Sequence, residues 1–257
     1  MRALVVSDIH GNLQALEAVL GVAQRHTGGG FDELWNLGDV VGYGARPNEV
    51  IDLLRALKTE RSIHVRGNHD RVCCGLSSSQ GFNPIAAAAA AWTRQHLRPD
   101  NREWLRELPM GPIQVTERAL CAHGSPLHED QYIVSMRDAW TPLQRMPSEL
   151  AFFGHTHLQG GFSRREEAWA EDYPEYVAED RVEASTMEVP LGSRHLINPG
   201  AVGQPRDGDW RAAFAIYDEA LEQMTFFRTP YDVAAAQAAI RAAGLPDRLA
   251  VRLSAGR

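Results

Sequence analysis

Five short clusters of aspartate, asparagine and histidine lie along the amino-terminal part of the chain. Each cluster closes a short apolar run of the kind that forms a buried strand, and each has a glycine in it or beside it. The clusters are Asp8-Ile9-His10, Gly38-Asp39, Gly67-Asn68-His69-Asp70, Ala122-His123-Gly124 and Gly154-His155-Thr156-His157. Carboxylate and imidazole groups just past a strand end can turn toward one point, so this recurrence indicates that five loops meet in one site.

The side chains of these clusters are oxygen and nitrogen donors, and none is a thiolate. Such donors suit Mn, Fe, Co, Ni or Zn, whereas Mg rarely takes imidazole and structural zinc sites use cysteine. The predicted ligands are Asp8, His10, Asp39, Asn68, His123, His155 and His157. One metal needs fewer ligands than this, so we predict two divalent cations that share Asp39 and a bridging hydroxide.

The charge of such a site favours a phosphate anion as its substrate. Two divalent cations would outweigh Asp8, Asp39 and one hydroxide, so the site would be positive inside a chain whose net charge is −7. The same acidity argues against an extended nucleic-acid surface and against a nuclease, which needs a basic groove.

The apolar runs also predict the elements that position the clusters. Residues 3–7, 31–37 and 62–65 form predicted strands, and residues 13–26 and 47–58 form predicted helices. This strand–helix–strand–helix–strand order is typical of a parallel α/β layer.

Further along the chain, an alanine-rich helix is predicted over residues 84–96. We expect residues 195–197, 212–217 and 224–227 to be consecutive strands of a second sheet. Because no linker rich in Gly, Pro or Ser divides residues 1–257, we expect a single domain with two sheets packed face to face and helices outside.

Residues 163–190 are polar and strongly acidic and contain Trp169, Tyr173 and Tyr176. We interpret this segment as an excursion with its own hairpin, or as a lid over the site. On a lid these rings would stack on a base, whereas in a hairpin they would fill a small satellite core.

The chain has the features expected of a cytoplasmic protein. The apolar run at residues 3–6 is too short for a signal peptide, and no stretch approaches the roughly 20 apolar residues of a membrane span. The cysteines are Cys73, Cys74 and Cys121, an odd number with two adjacent, which favours reduced thiols.

The five clusters resemble, in order and in composition, those of the calcineurin-like metallophosphoesterase family. The resemblance implies a four-layer α/β/β/α sandwich of two mixed sheets, with a dinuclear metal site at the strand-end loops. It also implies two ligand sets, which are Asp8, His10, Asp39 and His157 for one metal and Asp39, Asn68, His123 and His155 for the other. In that family, His69 would contact the scissile phosphate and protonate the leaving oxygen.

The second cluster departs from part of that family. Ser/Thr protein phosphatases and symmetrical dinucleoside tetraphosphatases continue it as Gly-Asp-x-x-Asp-Arg-Gly. Here Gly42 replaces the Asp that supports the catalytic His, and Tyr43 replaces the substrate-binding Arg. The segments 41–48 and 198–207 look like a bacterial phosphoesterase branch, some members of which act on dinucleoside polyphosphates.

These features predict a metal-dependent phosphoesterase that hydrolyses phosphomonoester, phosphodiester or phosphoanhydride bonds of small substrates, nucleotides among them. His69 is the predicted catalytic acid, and Asn68, His69 and Arg206 are predicted to bind the substrate. The alternative for Arg206 is a surface ion pair with Asp207 or Asp209. We expect Mn²⁺ to support activity in vitro.

The alternative function is a non-catalytic metal- or nucleotide-binding regulatory module on the same fold. Scaffolds of that kind have lost ligands, whereas every ligand position and the acid are present in this chain. This favours catalysis.

Overall fold

Two six-stranded sheets form the centre of the structure, a computed structural model that describes residues 1–28, 30–178 and 180–257. The described strands are β1 (Arg2–Val6), β2 (Glu33–Asn36), β3 (Arg61–His64), β4 (Ile113–Gln114), β5 (Ala119–Cys121), β6 (Leu150–Phe152), β7 (Gln159–Arg165), β8 (Ala168–Asp172), β9 (Glu183–Glu188), β10 (Arg194–Pro199), β11 (Ala212–Asp218) and β12 (Gln223–Thr229). The described helices are α1 (Leu13–His26), α2 (Pro47–Ala56), α3 (Asn68–Cys74), α4 (Pro84–His96), α5 (Pro99–Glu107), α6 (Met136–Arg145), α7 (Val233–Ala242) and α8 (Asp247–Leu253). None of these helices is both long enough and apolar enough to span a membrane.

Each sheet contains three parallel strands that lie side by side. The first sheet has the order β3-β2-β1-β11-β12-β9, in which β1, β2 and β3 are parallel. The second sheet has the order β4-β5-β6-β10-β7-β8, in which β5, β6 and β10 are parallel. The predicted clusters follow five of these six parallel strands, and the sixth strand, β10, leads into the loop that carries Arg206.

The predicted second sheet is wrong in two of its strands. The strand β10 lies in the second sheet, but β11 pairs antiparallel with β1, so that Tyr217 lies opposite Ala3, and β12 pairs with β11. Local alternation identifies a strand, but its partner is selected by apolar faces that are distant in sequence.

The layers are held together by three apolar clusters, which give the predicted four-layer α/β/β/α sandwich. Between the sheets, the Phe152 ring of β6 lies 5.3 Å from Trp35 of β2 and 5.5 Å from Tyr217 of β11. All three side chains are fully buried, so they join the two sheets at the centre of the molecule.

The helices α1 and α4 have the predicted bounds, and the reasons are local. The side chain of Asn12 accepts a hydrogen bond from the Ala15 backbone and caps α1, whose buried Leu16, Val19 and Leu20 face the first sheet. Pro84 occupies the first turn of α4, where its missing N–H costs no helical hydrogen bond. On the outer face of the second sheet, α6 packs through Leu143.

About half of the acidic segment over residues 163–190 forms strands, and its residue 179 lies outside the described part of the chain. The strands β7 and β8 form a hairpin, and β9 joins the edge of the first sheet beside β12. Trp169 stacks on Trp140 of α6 with ring centroids 4.1 Å apart, and the Tyr176 hydroxyl donates to Gln159 at 2.8 Å. These two rings therefore pack against the scaffold.

A buried polar network connects the two sheets near the loop after β10. The Gln159 amide donates to the carbonyls of Phe214 and Phe227 at 3.2 and 3.1 Å, and its oxygen accepts from Arg228 Nε at 3.0 Å. The Arg228 guanidinium also pairs with Asp207. Because a buried charge needs a partner, this network fixes the loop that carries Arg206.

We therefore predict that Arg228→Met lowers the free energy of unfolding. The expected loss is about 3 kcal/mol, the lower end of the range for a broken buried pair, since Asp207 is partly exposed. Urea unfolding measures it, with the matched change at the exposed Arg165 as control, for which we expect less than about 0.5 kcal/mol. Equal losses for the two variants would contradict a structural role for the network.

Candidate metal centre

Six of the seven predicted ligands lie in two groups. Within each group the ligand atoms all lie within 4.8 Å of one another, and all six residues are buried. The first group is Asp8, His10 and His157, and the second is Asp39, His123 and His155. The seventh predicted ligand, Asn68, belongs beside the second group, because its Oδ1 lies 3.1 Å from Nε2 of His123.

Asp39 lies between the two groups. Its Oδ2 is 3.4 Å from His123 Nε2 in its own group and 3.8 Å from His10 Nε2 in the other. This is the position of a carboxylate that two cations could share. The structure thus brings together all of the predicted ligands.

The loops reach this arrangement through a disfavoured backbone conformation. Five of the candidate ligands have a positive φ, which are Asp8 at 52°, His10 at 50°, Asp39 at 53°, His155 at 66° and His157 at 62°. The left-handed region costs a non-glycine residue roughly 1–2 kcal/mol, and such residues concentrate at functional sites. Five positive φ values therefore occur together at the two ligand groups. This backbone observation identifies the same site as the residue types do, and it does not depend on them.

The glycines in the clusters are required by close packing. Gly38 has a φ of 104°, and a Cβ at this position would lie 2.7 Å from Gly67 N and 2.8 Å from His123 Nδ1. At Gly154 a Cβ would lie 2.8 Å from Asp8 Oδ2. A larger residue at either position would displace a candidate ligand.

Backbone carbonyls orient three of the histidine rings. The Nδ1 atoms of His10, His123 and His157 lie 3.1, 2.9 and 2.6 Å from the carbonyl oxygens of Val41, Leu37 and Gln204. A carbonyl can only accept, so each ring carries a hydrogen on Nδ1, and in the neutral ring the Nε2 lone pair is directed toward the centre. This is the arrangement that orients histidines toward a metal.

The first group cannot satisfy these lone pairs by itself. Nε2 of His10 lies 3.2 Å from Nε2 of His157, which in turn lies 3.1 Å from Asp8 Oδ1. That buried oxygen has no hydrogen-bond partner among the described residues. Acceptors that face one another in a buried site repel, and a bound cation would remove the repulsion. The donor set therefore fits a divalent metal.

The pKa values reflect the same crowding. Burial would raise the pKa of Asp8, but the neighbouring His157 ring, in its protonated form, holds that pKa below its usual range. Burial lowers the pKa of His155 to about 4. Burial also opposes charge on His123, yet the carboxylate of Asp39 raises the pKa of His123 to about 10, so a proton there takes the place of a cation.

His69 lies beside the two groups. Its ring is buried between Tyr43 and Phe82, with both ring centroids 4.5 Å away, and its backbone N–H donates to Asp39 Oδ1 at 2.8 Å. Burial lowers the pKa of His69 to about 4. A Cβ at Gly42 would lie 2.7 Å from Nδ1 of His69, so this structure has no room for the Asp that related phosphatases have there.

Arg206 lies over the site. Its backbone N–H donates to the His157 carbonyl at 3.2 Å, and its guanidinium carbon is 5.8 Å from the Tyr43 ring centroid. The alternative ion pairs are not formed, because Asp207 pairs with Arg228 and Asp209 with Arg211.

The sequence did not reveal how the loop after β10 supports the site. The N–H groups of Val202 and Gly203 donate to the carbonyls of Ser7 and Asp8, both at 2.9 Å, and the Gln204 carbonyl accepts from His157. The sequence feature that could have indicated this support is Asn198-Pro199-Gly200, which ends an apolar run in the same way as the five clusters do.

Asp70 is a second support that the sequence did not identify, although it lies within the third cluster. Its two carboxylate oxygens accept from the N–H groups of Val41 and Gly67, at 3.1 and 3.0 Å. Burial and the neighbouring Asp39 raise the pKa of Asp70 to about 7. This side chain joins the loops after β2 and β3.

Known proteins resemble this chain over nearly its whole length. A family model described as calcineurin-like phosphoesterase matches residues 1–159, which contain all five clusters. An uncharacterized protein of Methanocaldococcus jannaschii is 33% identical over 255 residues, covering 98% of this chain and 97% of the relative.

Two further comparisons extend this finding. The crystal structure of a metallophosphoesterase from Sphaerobacter thermophilus shares 40% identity and a TM-score of 0.83, covering 100% of both chains. A symmetrical bis(5'-nucleosyl)-tetraphosphatase of Nitrosococcus oceani is 32% identical over 114 residues, which is 43% of this chain and 38% of that enzyme. The two relatives described above that span the chain come from an archaeon and a bacterium, in agreement with the bacterial branch. The chain therefore belongs to the calcineurin-like phosphoesterase family.

Proposed function

We propose that this protein is a metal-dependent hydrolase of phosphomonoester, phosphodiester or phosphoanhydride bonds in small substrates. One observation supports this most strongly: bare imidazole nitrogens and carboxylate oxygens converge in two buried groups, with Asp39 between them. Membership of the phosphoesterase family supports hydrolysis, and a positive dinuclear centre would attract a phosphate anion.

The ligand assignment divides as the two groups do. Asp8, His10 and His157 would hold one cation, and Asn68, His123 and His155 the other, with Asp39 contributing to both. Bound divalent cations supply Lewis acidity toward phosphoryl oxygens and a water that ionises near neutral pH. We expect Mn, Fe, Zn, Co or Ni here, with Mn²⁺ effective in vitro.

The remaining residues act on the substrate. The Asn68 amide turns its oxygen toward His123, and its nitrogen is a donor for a phosphoryl oxygen. Arg206 offers a planar guanidinium with no acidic partner in the described parts of the chain, which suits the phosphate group. His69 donates a proton to the leaving oxygen. Burial disfavours its charged form, and the anionic substrate opposes that shift.

The partial likeness to symmetrical bis(5'-nucleosyl)-tetraphosphatases supports phosphoanhydrides of nucleotides as one substrate class. The replacement of the family's Arg by Tyr43 argues against the protein phosphatase branch. A small phosphorylated compound, met in the cytoplasm, remains the predicted partner.

Hydrolysis of p-nitrophenyl phosphate separates an enzyme from a non-catalytic module. We predict turnover with added Mn²⁺ and its loss after treatment with a chelator, followed by recovery when Mn²⁺ is restored. A protein that binds two cations per chain and shows no turnover of aryl mono- or diesters or of nucleotides would support the regulatory module instead.

His69→Ala tests the catalytic acid. We predict that kcat falls about 10²- to 10⁴-fold, because proton transfer to the leaving oxygen is lost. Metal content should stay near two per chain, and the control His96→Ala, at an exposed ring of α4, should leave kcat unchanged. Loss of a metal ion in the His69 variant would make this residue a ligand.

Metal binding should release a proton from His123. The Asp39 carboxylate raises the pKa of His123 to about 10, so the ring is charged at pH 7 in the metal-free protein, and a cation must displace that proton. Affinity for Mn²⁺ should therefore rise about tenfold per pH unit between pH 6 and 8. Titration calorimetry in buffers of different ionisation enthalpy measures the proton, and Mn²⁺ binding without its release would contradict the assignment.

A further inference from the structure

Three arginines near the helix α8 form no ion pair with an Asp or Glu among the described residues, although Arg252 Nε donates to the backbone oxygen of Arg257 at 2.6 Å. They are Arg206 and, on α8, Arg248 and Arg252, whereas the neighbouring Arg241 pairs with Asp247. The guanidinium carbons of Arg206 and Arg252 each lie 5.8 Å from the centroid of the Tyr43 ring. Two cations thus share one aromatic neighbour.

Arg206 and Arg252 both lie near the Tyr43 ring, and like charges repel. Burial lowers the pKa of Arg252, and the charges of Arg206 and Arg248 lower it further. An anion between the guanidinium groups would remove the repulsion.

The guanidinium groups of Arg206 and Arg252 lie close to the proposed catalytic site. The Tyr43 ring that carries both guanidinium groups is 4.5 Å from the His69 ring and 4.6 Å from the His10 ring. Tyr43 occupies the position at which related phosphatases have their substrate-binding Arg. The positive charge missing from the second cluster is thus supplied here from the loop after β10 and from α8.

A cleft of about 790 Å³ opens beside Arg252, large enough for a nucleotide. Its lining includes Arg248, Val251 and Arg252 of α8 and also Pro84 and Ile85 at the start of α4. The residue two positions before Pro84, Phe82, packs on His69 at 4.5 Å. The cleft therefore places two arginines of α8 next to apolar side chains that can contact an organic group.

We propose that Arg252, together with Arg206, forms a second anion subsite that binds the phosphate next to the one hydrolysed. This rests on the proposed function and narrows its substrate class to organic compounds with two or more linked phosphates. The attacked phosphorus gains the oxygen of water and its bond to the bridging oxygen breaks. The second phosphate leaves with that oxygen, which takes a proton from His69, and the proton released by the attacking water restores the protonated His69. The organic group lies against Pro84, Ile85 and Val251.

The first test compares ADP, which has linked phosphates, with p-nitrophenyl phosphate, which has one. Arg252→Gln should lower kcat/KM for ADP about 10- to 100-fold more than kcat/KM for p-nitrophenyl phosphate, as expected for a lost charge-assisted hydrogen bond. The control Arg241→Gln removes an exposed, paired arginine of α7 and should leave the ratio unchanged. An equal effect of Arg252→Gln on both substrates would overturn the subsite while the proposed function stands.

The second test does not depend on turnover. Calorimetry measures binding of α,β-methylene-ADP and of AMP to the Mn²⁺-loaded protein. We expect the wild type to prefer the diphosphate analogue and Arg252→Gln to lose about 10-fold or more of that preference. If neither ADP nor p-nitrophenyl phosphate is hydrolysed, the proposed function fails. The binding preference for the diphosphate analogue then decides by itself whether the subsite exists. No preference in the wild type would overturn it.

Discussion

Carboxylate oxygens and imidazole lone pairs repel one another when they are buried together, and the fold of this protein holds two such groups in contact. His10 and His157 direct bare Nε2 atoms toward each other at 3.2 Å, beside an Asp8 oxygen that has no hydrogen-bond partner among the described residues. A proton added to Nε2 of one ring would be donated to one neighbouring acceptor and would relieve only part of this repulsion. Divalent cations would satisfy these atoms, and this requirement explains the site.

The rest of the structure is rigid around the site and holds these repelling atoms in place. Parallel strands from two sheets deliver the loops, and close glycine contacts such as Gly38 against His123 leave the loops little freedom. Five candidate ligands have left-handed backbone conformations. These conformations persist only because the surrounding contacts hold them. The loop after β10 hydrogen bonds to the loops after β1 and β6, and the Arg228 network secures it in turn.

The sequence predicted the parts that local chemistry determines. The residues that gather in the two groups could be named because each cluster combines a strand end, a glycine and a donor side chain. The helices α1 and α4 could be placed because Asn12 and Pro84 mark their starts. The sheet that contains β11 and β12 could not be predicted, because strand pairing depends on distant apolar faces. The role of Arg252 was equally hidden, since only the fold brings α8 beside Tyr43.

The central claim is that the two groups are cation sites that share Asp39. A crystal structure of the protein grown with Mn²⁺, with anomalous differences recorded above and below the manganese absorption edge, tests it most directly. We predict two anomalous peaks per chain, one at the Nε2 atoms of His10 and His157 and one at His123 and His155, with Asp39 between them. A map with no peak at these histidines, from crystals in which Mn²⁺ is present at saturating concentration, would contradict the account.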